Sequence, residues 1–238
     1  MWPPFDILYE DEHLIAINKP SGIMVHRTKI TEDKVFVLQL LRDQIGQRLY
    51  PVHRLDRGTS GALLMAKDSE TASFVGQQFQ EREVEKAYQA IVRGFLPLRG
   101  TIDYALANRS PQEPQTAITQ YQRLAQTEIP HAIGRYQTAR YSLILARPQS
   151  GKFHQIRRHF SHLRHPIIGD KKHGDVKHNN YWRDQWEIRR LLLHASHLSF
   201  AHPKRGKCSI QAPFPDDFMK ALRLLAWEEF ENYDNLSI

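Results

Sequence analysis

Three short segments hold the side chains whose types and spacing can carry chemistry. The first, residues 53–61 (HRLDRGTSG), places Asp56 between Arg54 and Arg57 in a glycine-containing turn. Neighbouring cations favour the ionised form of a carboxylate, so Asp56 is a candidate nucleophile or base. The same side chain could instead cap the turn by a hydrogen bond, as aspartates commonly do. The local sequence leaves both roles open.

The second segment is a short apolar strand that contains Lys86 and Tyr88. Side chains two residues apart in a strand lie on the same face, so these two can meet one ligand. A tyrosine in a strand more often belongs to the core, and the pattern alone does not choose between the two.

The third segment, residues 151–159 (GKFHQIRRH), reads as the start of a helix over residues 153–163. The first backbone amides of such a helix, with Lys152 beside them, could hold a phosphate. Helical spacing places His154, Arg157, Arg158 and His162 on one face, which is either a binding face or a solvated one.

Histidines are frequent in this region, but their spacing argues against a metal site. His154, His159 and His162, with His165 and Asp170 nearby, contain no pair of histidines four residues apart with an intervening glutamate. We therefore expect no metal.

Charge is distributed unevenly along the 238 residues. Residues 135–207 contain 16 lysines and arginines against four acids, a net charge of +12 in a chain whose total is +7. A basic block of this size suggests a polyanionic partner, with nucleic acid ahead of an anionic membrane, although a solvated basic face would look the same. There is a single cysteine, Cys208, and no apolar run long enough to span a membrane, so we expect a soluble, cytoplasmic protein.

The strands and helices that must position these residues are interspersed along the chain, without a regular strand–helix repeat. Apolar periodicity and turn residues predict a β-hairpin from residues 5–9 and 14–18, further strands and several helices. The further strands are predicted at 62–66, 88–92, 117–125, 140–146 and 191–200, and the helices at 33–45, 69–82, 153–163 and 217–227; residues 109–115 are predicted to form a loop and residues 124–141 a long connection. This pattern indicates one α+β domain.

Taken together, the segments resemble the RluA-type family of pseudouridine synthases. The resemblance runs from Asn18-Lys19-Pro20-Ser21-Gly22 to Leu193-His194-Ala195 and is strongest in His53-Arg54-Leu55-Asp56 with Thr59-Ser60-Gly61. Lys86-x-Tyr88 and Gly151-x-x-His154-Gln155-Ile156-Arg157 supply the other family segments, although Lys152 stands where the family usually has arginine. The resemblance implies a pseudouridine synthase fold over residues 1–238: a mixed, mostly antiparallel sheet with flanking helices and a central catalytic cleft, without a separate N-terminal RNA-binding domain.

The resemblance also implies roles for single residues. Asp56 would be the catalytic carboxylate, Arg157 its ion-pair partner and Tyr88 the residue against the uracil plane. Arg54 would fill the gap left when the target base is flipped out of its helix. His53, Lys86, Lys152, Leu193 and His194 would supply pocket or phosphate contacts.

Finer features, such as His162-Leu163-Arg164-His165-Pro166, resemble family members that act on uridine 65 in the T stem of tRNA. We therefore expect a tRNA substrate, no cofactor, no metal, no protein partner, no membrane and a monomeric enzyme. A ribosomal-RNA substrate, a non-catalytic RNA-binding module and a metal-dependent nuclease are the alternatives.

Overall fold

A computed structural model describes residues 2–27, 34–107 and 113–230 of the protein. The described elements, in chain order, are β1 (Ile7–Glu10), β2 (Leu14–Lys19), α1 (Val37–Ile45), β3 (Tyr50–Pro51), β4 (Ser60–Ala66), α2 (Ser69–Glu81), β5 (Glu85–Arg93), β6 (Arg99–Asp103), β7 (Ile118–Ile129), β8 (Ala139–Pro148), α3 (Gln155–His162), α4 (Val176–Trp186), β9 (Leu193–His202), β10 (Gly206–Gln211) and α5 (Asp216–Leu224), followed by a short 3-10 helix (Glu228–Phe230). Strands and helices are interspersed, which confirms the predicted α+β class.

The chain divides into two compact units. Unit 1 comprises Met1–Lys86 and Ala195–Pro213, and unit 2 comprises Ala87–His194 and Phe214–Ile238. The chain therefore passes from one unit to the other within β5, within β9 and after Pro213.

Unit 1 is built on a sheet with the strand order β1-β2-β4-β9, with β3 paired to β4 and β10 to β9. The predicted hairpin is confirmed, because β1 and β2 pair antiparallel. Helix α1 ends at Gly46, which adopts the left-handed conformation (φ 66°), and α2 begins after Asp68, whose side chain accepts the backbone N–H of Thr71 at 2.7 Å. The apolar faces enclose a core of Leu14, Ala16, Ala62, Leu64, Ala66, Val75, Val84, Leu198, Phe200, Ile210 and Ala212.

Unit 2 is built on the strand order β5-β8-β7-β6, in which each neighbouring pair is antiparallel. One core contains Ile91, Tyr141, Leu143, Trp182, Phe214 and Phe218, and a second contains Ala90, Val92, Ile144, Ile156, Phe160 and Leu193. Helices α3, α4 and α5 belong to this unit.

Several boundaries differ from the prediction. The predicted connection 124–141 is wrong, because β7 runs to Ile129 and β8 starts at Ala139, paired from Thr119↔Pro148 to Ile129↔Ala139. The helix predicted over 33–45 begins at Val37, and the one predicted over 217–227 ends at Leu224. The predicted loop 109–115 lies partly outside the described residues, as does the start of the helix predicted from residue 33.

Five described elements were not predicted: β3, β6, α4, β10 and the short 3-10 helix. Helix α4 (VKHNNYWRDQW) has no continuous apolar stripe; it is fixed instead by its cap residue Asp175 and by the fully buried Trp182. Within residues 2–27, 34–107 and 113–230, no helix is long and apolar enough to cross a membrane.

Candidate active site

Asp56 lies in the loop between β3 and β4 of unit 1. The backbone carbonyl of Asp56 accepts the N–H of Thr59 at 3.1 Å, which closes a turn directly before β4. The side chain of Asp56 is half-buried, whereas Arg54 and Arg57 on either side are exposed. The loop thus presents a carboxylate flanked by two cations at the surface of its unit.

A buried lysine holds the backbone of this loop on both sides of Gly58. Lys19, the last residue of β2, is completely inaccessible to solvent. Its Nζ donates to the carbonyl oxygens of Pro20 at 2.9 Å, Arg57 at 3.3 Å and Thr59 at 2.8 Å. Because a buried ammonium requires such acceptors, the lysine and the loop backbone stabilise each other.

The residues that follow Lys19 add further bonds to the same loop. The hydroxyl of Ser21 donates to the carbonyl of Gly58 at 2.7 Å, and the N–H of Gly22 donates to the carbonyl of Arg57 at 2.8 Å. Arg57 Nε donates back to the carbonyl of Gly22 at 2.9 Å. The motif at residues 18–22 and the motif around Asp56 therefore form one structure.

Gly61, the last residue of the second motif, allows β4 to approach β9 within unit 1. It has a φ of +113°, and a Cβ there would lie 2.2 Å from the carbonyl oxygen of Ala195. Only glycine fits this backbone conformation and this distance.

His53 is held as a neutral base. Its Nε2 accepts the backbone N–H of Leu64 at 2.9 Å, and its ring stacks on Phe79 at 4.7 Å. Burial, together with the positive charge of Lys86, lowers the pKa of His53 to about 3. The predicted phosphate contact through His53 therefore has no positive charge to support it.

Lys86 and Arg54 are the other two predicted residues in unit 1. Burial lowers the pKa of Lys86, and the nearby charge of Arg82 lowers it further. Arg54 is exposed, and its charge contributes, after burial, to lowering the pKa of His26.

In unit 2, Tyr88 lies opposite Ala146 of β8. The flanking residues Ala87 and Gln89 are buried, while Tyr88 is half-buried and packs against the core that contains Ile156 and Phe160. Its ring is therefore supported from one side and retains an accessible part.

Arg157 lies in the first turn of α3 and forms a forked ion pair with Asp170. Nε is 2.7 Å from Oδ2 and Nη2 is 2.8 Å from Oδ1. The backbone N–H groups of Lys172 and His173 also donate to Oδ1, at 2.9 and 3.0 Å. Burial alone would raise the pKa of Asp170, but the bonds from Arg157 and the two amides outweigh it and lower the pKa below its ordinary value.

Backbone geometry holds the Asp170 turn against the rest of unit 2. Gly169 has a φ of +78°, and a Cβ there would lie 1.8 Å from the carbonyl oxygen of Arg190. The side chain of Asn179 accepts the N–H of Gly169 at 2.8 Å and donates to the carbonyl of Asp170 at 2.9 Å. The carboxylate that meets Arg157 is thus placed by contacts with α4 and with the segment before β9.

His154 is not on the helix face that the sequence predicted. Helix α3 begins at Gln155, and His154 precedes it in the left-handed conformation (φ 54°). Its Nδ1 lies 2.9 Å from Nε2 of His173, and its ring stacks on Phe153 with 3.7 Å between centroids. The prediction that His154 shares a helix face with Arg157, Arg158 and His162 is therefore wrong, because the helix begins only at Gln155.

Lys152 approaches a side-chain amide. Its ammonium group donates to Oε1 of Gln115, while its backbone N–H donates to Oε1 of Gln155 at 3.1 Å. That same oxygen accepts the hydroxyl of Ser150 at 2.7 Å. Part of the predicted phosphate site at the start of α3 is thus occupied by the side chain of Gln155.

The two remaining predicted residues, Leu193 and His194, are buried. Leu193 belongs to the apolar core around Ile144 and Phe160. The ring of His194 lies 5.2 Å from that of Phe214 and 6.0 Å from that of Phe218. These contacts belong to the packing of unit 2.

Sequence reasoning missed Lys19, Asp170 and His173 as residues of the site. Lys19 precedes Pro20, and Asp170 follows Gly169. Both lie in turns within segments that resemble the family, and this position was the signal by which they could have been found. Among the described residues, no three histidine, cysteine, aspartate or glutamate side chains come together as metal ligands.

The whole chain is similar to known proteins. Residues 13–162 match the model of the RNA pseudouridylate synthase family, so the chain belongs to that family, whose members are isomerases. A protein of Yersinia pestis called tRNA pseudouridine synthase C is 45% identical over 234 residues, which are 93% of this chain and 91% of that protein. A protein of the same name from Vibrio parahaemolyticus is 44% identical over 236 residues, 94% of this chain and 96% of that protein.

A solved structure supports the fold in the same way. Human RNA pseudouridylate synthase domain containing 1 matches with a TM-score of 0.74 at 25% identity, covering 93% of this chain and 89% of that one. The expected pseudouridine synthase fold and isomerase class are therefore confirmed.

Proposed function

We propose that this protein isomerises a uridine of tRNA to pseudouridine and that Asp56 is the reacting carboxylate. The observation that carries the proposal is the Asp56 loop, held by Lys19, Ser21 and Gly22 so that a carboxylate lies between two exposed arginines. A reaction at one ribose carbon needs such a fixed carboxylate, because a small displacement of the reacting group greatly slows catalysis.

The chemistry is an exchange of bonds at one ribose carbon. The N1–C1′ bond of uridine breaks, the uracil rotates, and a C5–C1′ bond forms; C5 loses a proton and N1 gains one. Atoms and electrons balance within the nucleotide, so the reaction calls for a carboxylate and a proton acceptor. Asp56 supplies the first, whether it attacks the ribose, attacks C6 of the base or promotes an elimination.

Tyr88 and Arg157 are proposed as the other two catalytic residues. The partly accessible ring of Tyr88 suits a position against the uracil, where its hydroxyl can take the C5 proton. Arg157 is proposed to hold Asp56 ionised, a role that its rigid pairing with Asp170 supports by fixing the guanidinium plane.

Arg54 is proposed to occupy the gap left by the flipped base. It is exposed beside Asp56, and a long cationic side chain suits a space between stacked bases and phosphates. His53, Lys86, Lys152, Leu193 and His194 remain proposed pocket or phosphate contacts. Of these, His53, Leu193 and His194 also pack within their own units.

The choice of tRNA rests on the relatives named tRNA pseudouridine synthase C and on the basic block at residues 135–207. Position 65 of the T stem is proposed from the sequence resemblance. A tRNA substrate would place the reaction in the cytoplasm.

The test uses tRNA that carries tritium at uracil C5, incubated with the protein in EDTA. Bond formation at C5 releases the tritium to water. We expect release by the wild type, none by Asp56→Asn, and full release by Asp43→Asn, in which an exposed carboxylate of α1 is changed in the same way.

Binding and substrate pools complete the test. Asp56→Asn should bind tRNA within a few-fold of the wild type, so that loss of release reports chemistry. Full activity of Asp56→Asn would disprove its role. Release from ribosomal RNA but not from tRNA would show that ribosomal RNA is the substrate. Release from neither RNA would favour a non-catalytic RNA-binding module.

A further inference from the structure

The tip of the β7–β8 hairpin and the first turns of α4 form an exposed surface with both aromatic rings and cations. We define the tip patch by five residues of unit 2: His131, Arg135, Tyr136, Lys177 and Tyr181. None of them has a role in the proposed chemistry.

The backbone of the tip forms a closed turn. Ile133 and Tyr136 form an antiparallel bridge, with the N–H of Ile133 donating to the carbonyl of Tyr136 at 3.1 Å. Ile133 itself is buried in the core of unit 2, which anchors the turn. Gly134 has a φ of +69°, and a Cβ at this position would lie 3.2 Å from Cδ of Lys177. The lysine of α4 therefore lies across the hairpin tip.

The aromatic rings of the tip patch stand beside cationic groups. The guanidinium of Arg135 lies 5.0 Å from the ring centroid of Tyr136, and its Nη2 donates to the tyrosine hydroxyl at 2.8 Å. Tyr136 nevertheless exposes 58% of its surface, among the highest fractions of any large hydrophobic side chain described. The rings of His131 and Tyr181 lie 5.4 Å apart nearby.

The cations of the tip patch differ from their neighbours in lacking an acidic partner. Arg140 pairs with Glu128, Arg93 with Asp175, Arg183 with Asp184, and Lys220 with Glu187. Within the described part of the chain, neither Arg135 nor Lys177 forms a salt bridge. Their positive charge is therefore uncompensated and is available to an anionic partner.

From this combination we propose that the tip patch binds the backbone of the substrate RNA, with Arg135 and Lys177 on phosphates and Tyr136 against a base or ribose. The proposal rests on the proposed function, which supplies an RNA partner. An exposed planar ring beside unpaired cations suits RNA, because bases stack on aromatic side chains while the phosphates are neutralised.

The experiment measures equilibrium binding of tRNA to full-length variants over a range of salt concentrations. Arg135→Ala/Lys177→Ala should weaken binding about tenfold in 0.1 M salt and reduce the slope of log K against log salt by roughly 1.4–1.8, the value for two lost phosphate contacts. The matched control Arg183→Ala/Lys220→Ala removes the same charge from paired residues, and it should stay within about twofold of the wild type.

Two variants of Tyr136 test the contribution of its aromatic ring. Tyr136→Phe keeps the ring and should bind as the wild type does, whereas Tyr136→Ala should bind several-fold more weakly. Turnover at saturating tRNA should be unchanged in all these variants, because the tip patch does not touch the reacting atoms. Equal thermal midpoints would show that each variant is folded.

The proposal is overturned if Arg135→Ala/Lys177→Ala binds tRNA like its control with an unchanged salt slope. It is also overturned if that variant binds RNA normally and loses affinity for a protein or for anionic vesicles instead. Failure of the proposed function would be separate, because the wild type would then release no tritium while the binding assay still reported on the tip patch.

Discussion

The guanidinium of Arg157 forms a forked ion pair with the carboxylate of Asp170, thirteen residues further along the chain, through Nε to Oδ2 and Nη2 to Oδ1. Their side chains are 11% and 1% exposed, so this ion pair is almost dry. A helical pattern in the sequence could present Arg157 as one of several residues on a wet face. The structure gives it a partner that holds its position and orientation.

Removing Asp170 should therefore strongly destabilise the protein. Asp170→Ala removes the carboxylate that is forked to an almost completely buried guanidinium, and we expect a loss of about 3–5 kcal/mol in the free energy of unfolding. Asp184→Ala, which breaks an exposed pair with Arg183, should leave the free energy of unfolding almost unchanged. Urea unfolding of the two variants measures the difference, and equal losses would contradict this account of Asp170.

Lys19 should be needed for both stability and the Asp56 loop. Lys19→Met keeps the length of the side chain but leaves the buried carbonyl of Thr59 without its ammonium donor. The carbonyl of Arg57 loses the same donor but keeps the N–H of Gly22. An unsatisfied buried group costs about 1–3 kcal/mol, and we expect a loss of that size in the free energy of unfolding. Turnover should also fall more than tRNA affinity, because the loop loses its fixed position.

The matched control for this variant is Lys204→Met at an exposed position of unit 1. It should change neither the unfolding free energy nor turnover by a measurable amount. If Lys204→Met and Lys19→Met behaved alike, hydrophobic substitution itself rather than the lost bonds would explain the effect.

His53 should make the folded protein less stable in mild acid. Its pKa is lowered to about 3 in the folded protein from an ordinary value of 6.5, so between these values the unfolded chain binds a proton that the folded protein does not. Stability therefore falls as the pH drops below 6.5, by up to about 1.4 kcal/mol for each pH unit.

His53→Gln tests this, because its amide oxygen can accept the N–H of Leu64 without titrating. Between pH 6 and pH 4 the variant should lose less unfolding free energy than the wild type, and the imidazole NMR signals of His53 should remain those of the neutral ring down to pH 5. Parallel pH curves for the two proteins would refute the neutral His53.

Gly61 and Gly76 should respond in opposite ways to the same substitution. Gly61→Ala puts a Cβ 2.2 Å from the carbonyl oxygen of Ala195 at a φ of +113°, so we expect the protein to lose several kcal/mol of stability or fail to fold. Gly76 lies inside α2 with no atom within 4 Å of a new Cβ, so Gly76→Ala should stabilise by roughly 0.5–1 kcal/mol. Thermal unfolding of both variants provides the comparison.

The sequence by itself determined the elements that have a strong local signal. The first hairpin, the end of α1 before Gly46 and helix α2 are where periodicity and turn residues predict them, because those signals act within a few residues. The motif around Asp56 likewise indicated the family of the chain. By contrast, α4 has few apolar positions, and it becomes a helix through the burial of Trp182 and the contacts of Asn179.

What only the tertiary structure decided is which charged and polar groups meet. The chain alone does not show that Lys19 reaches the carbonyls after Asp56, that Arg157 pairs with Asp170, or that Lys177 lies over Gly134. Each of these contacts joins segments that are distant in sequence, and its geometry depends on where the sheets and turns place the backbone. Local propensity acts over a few residues, whereas the position of a buried charge is set by every element that packs around it.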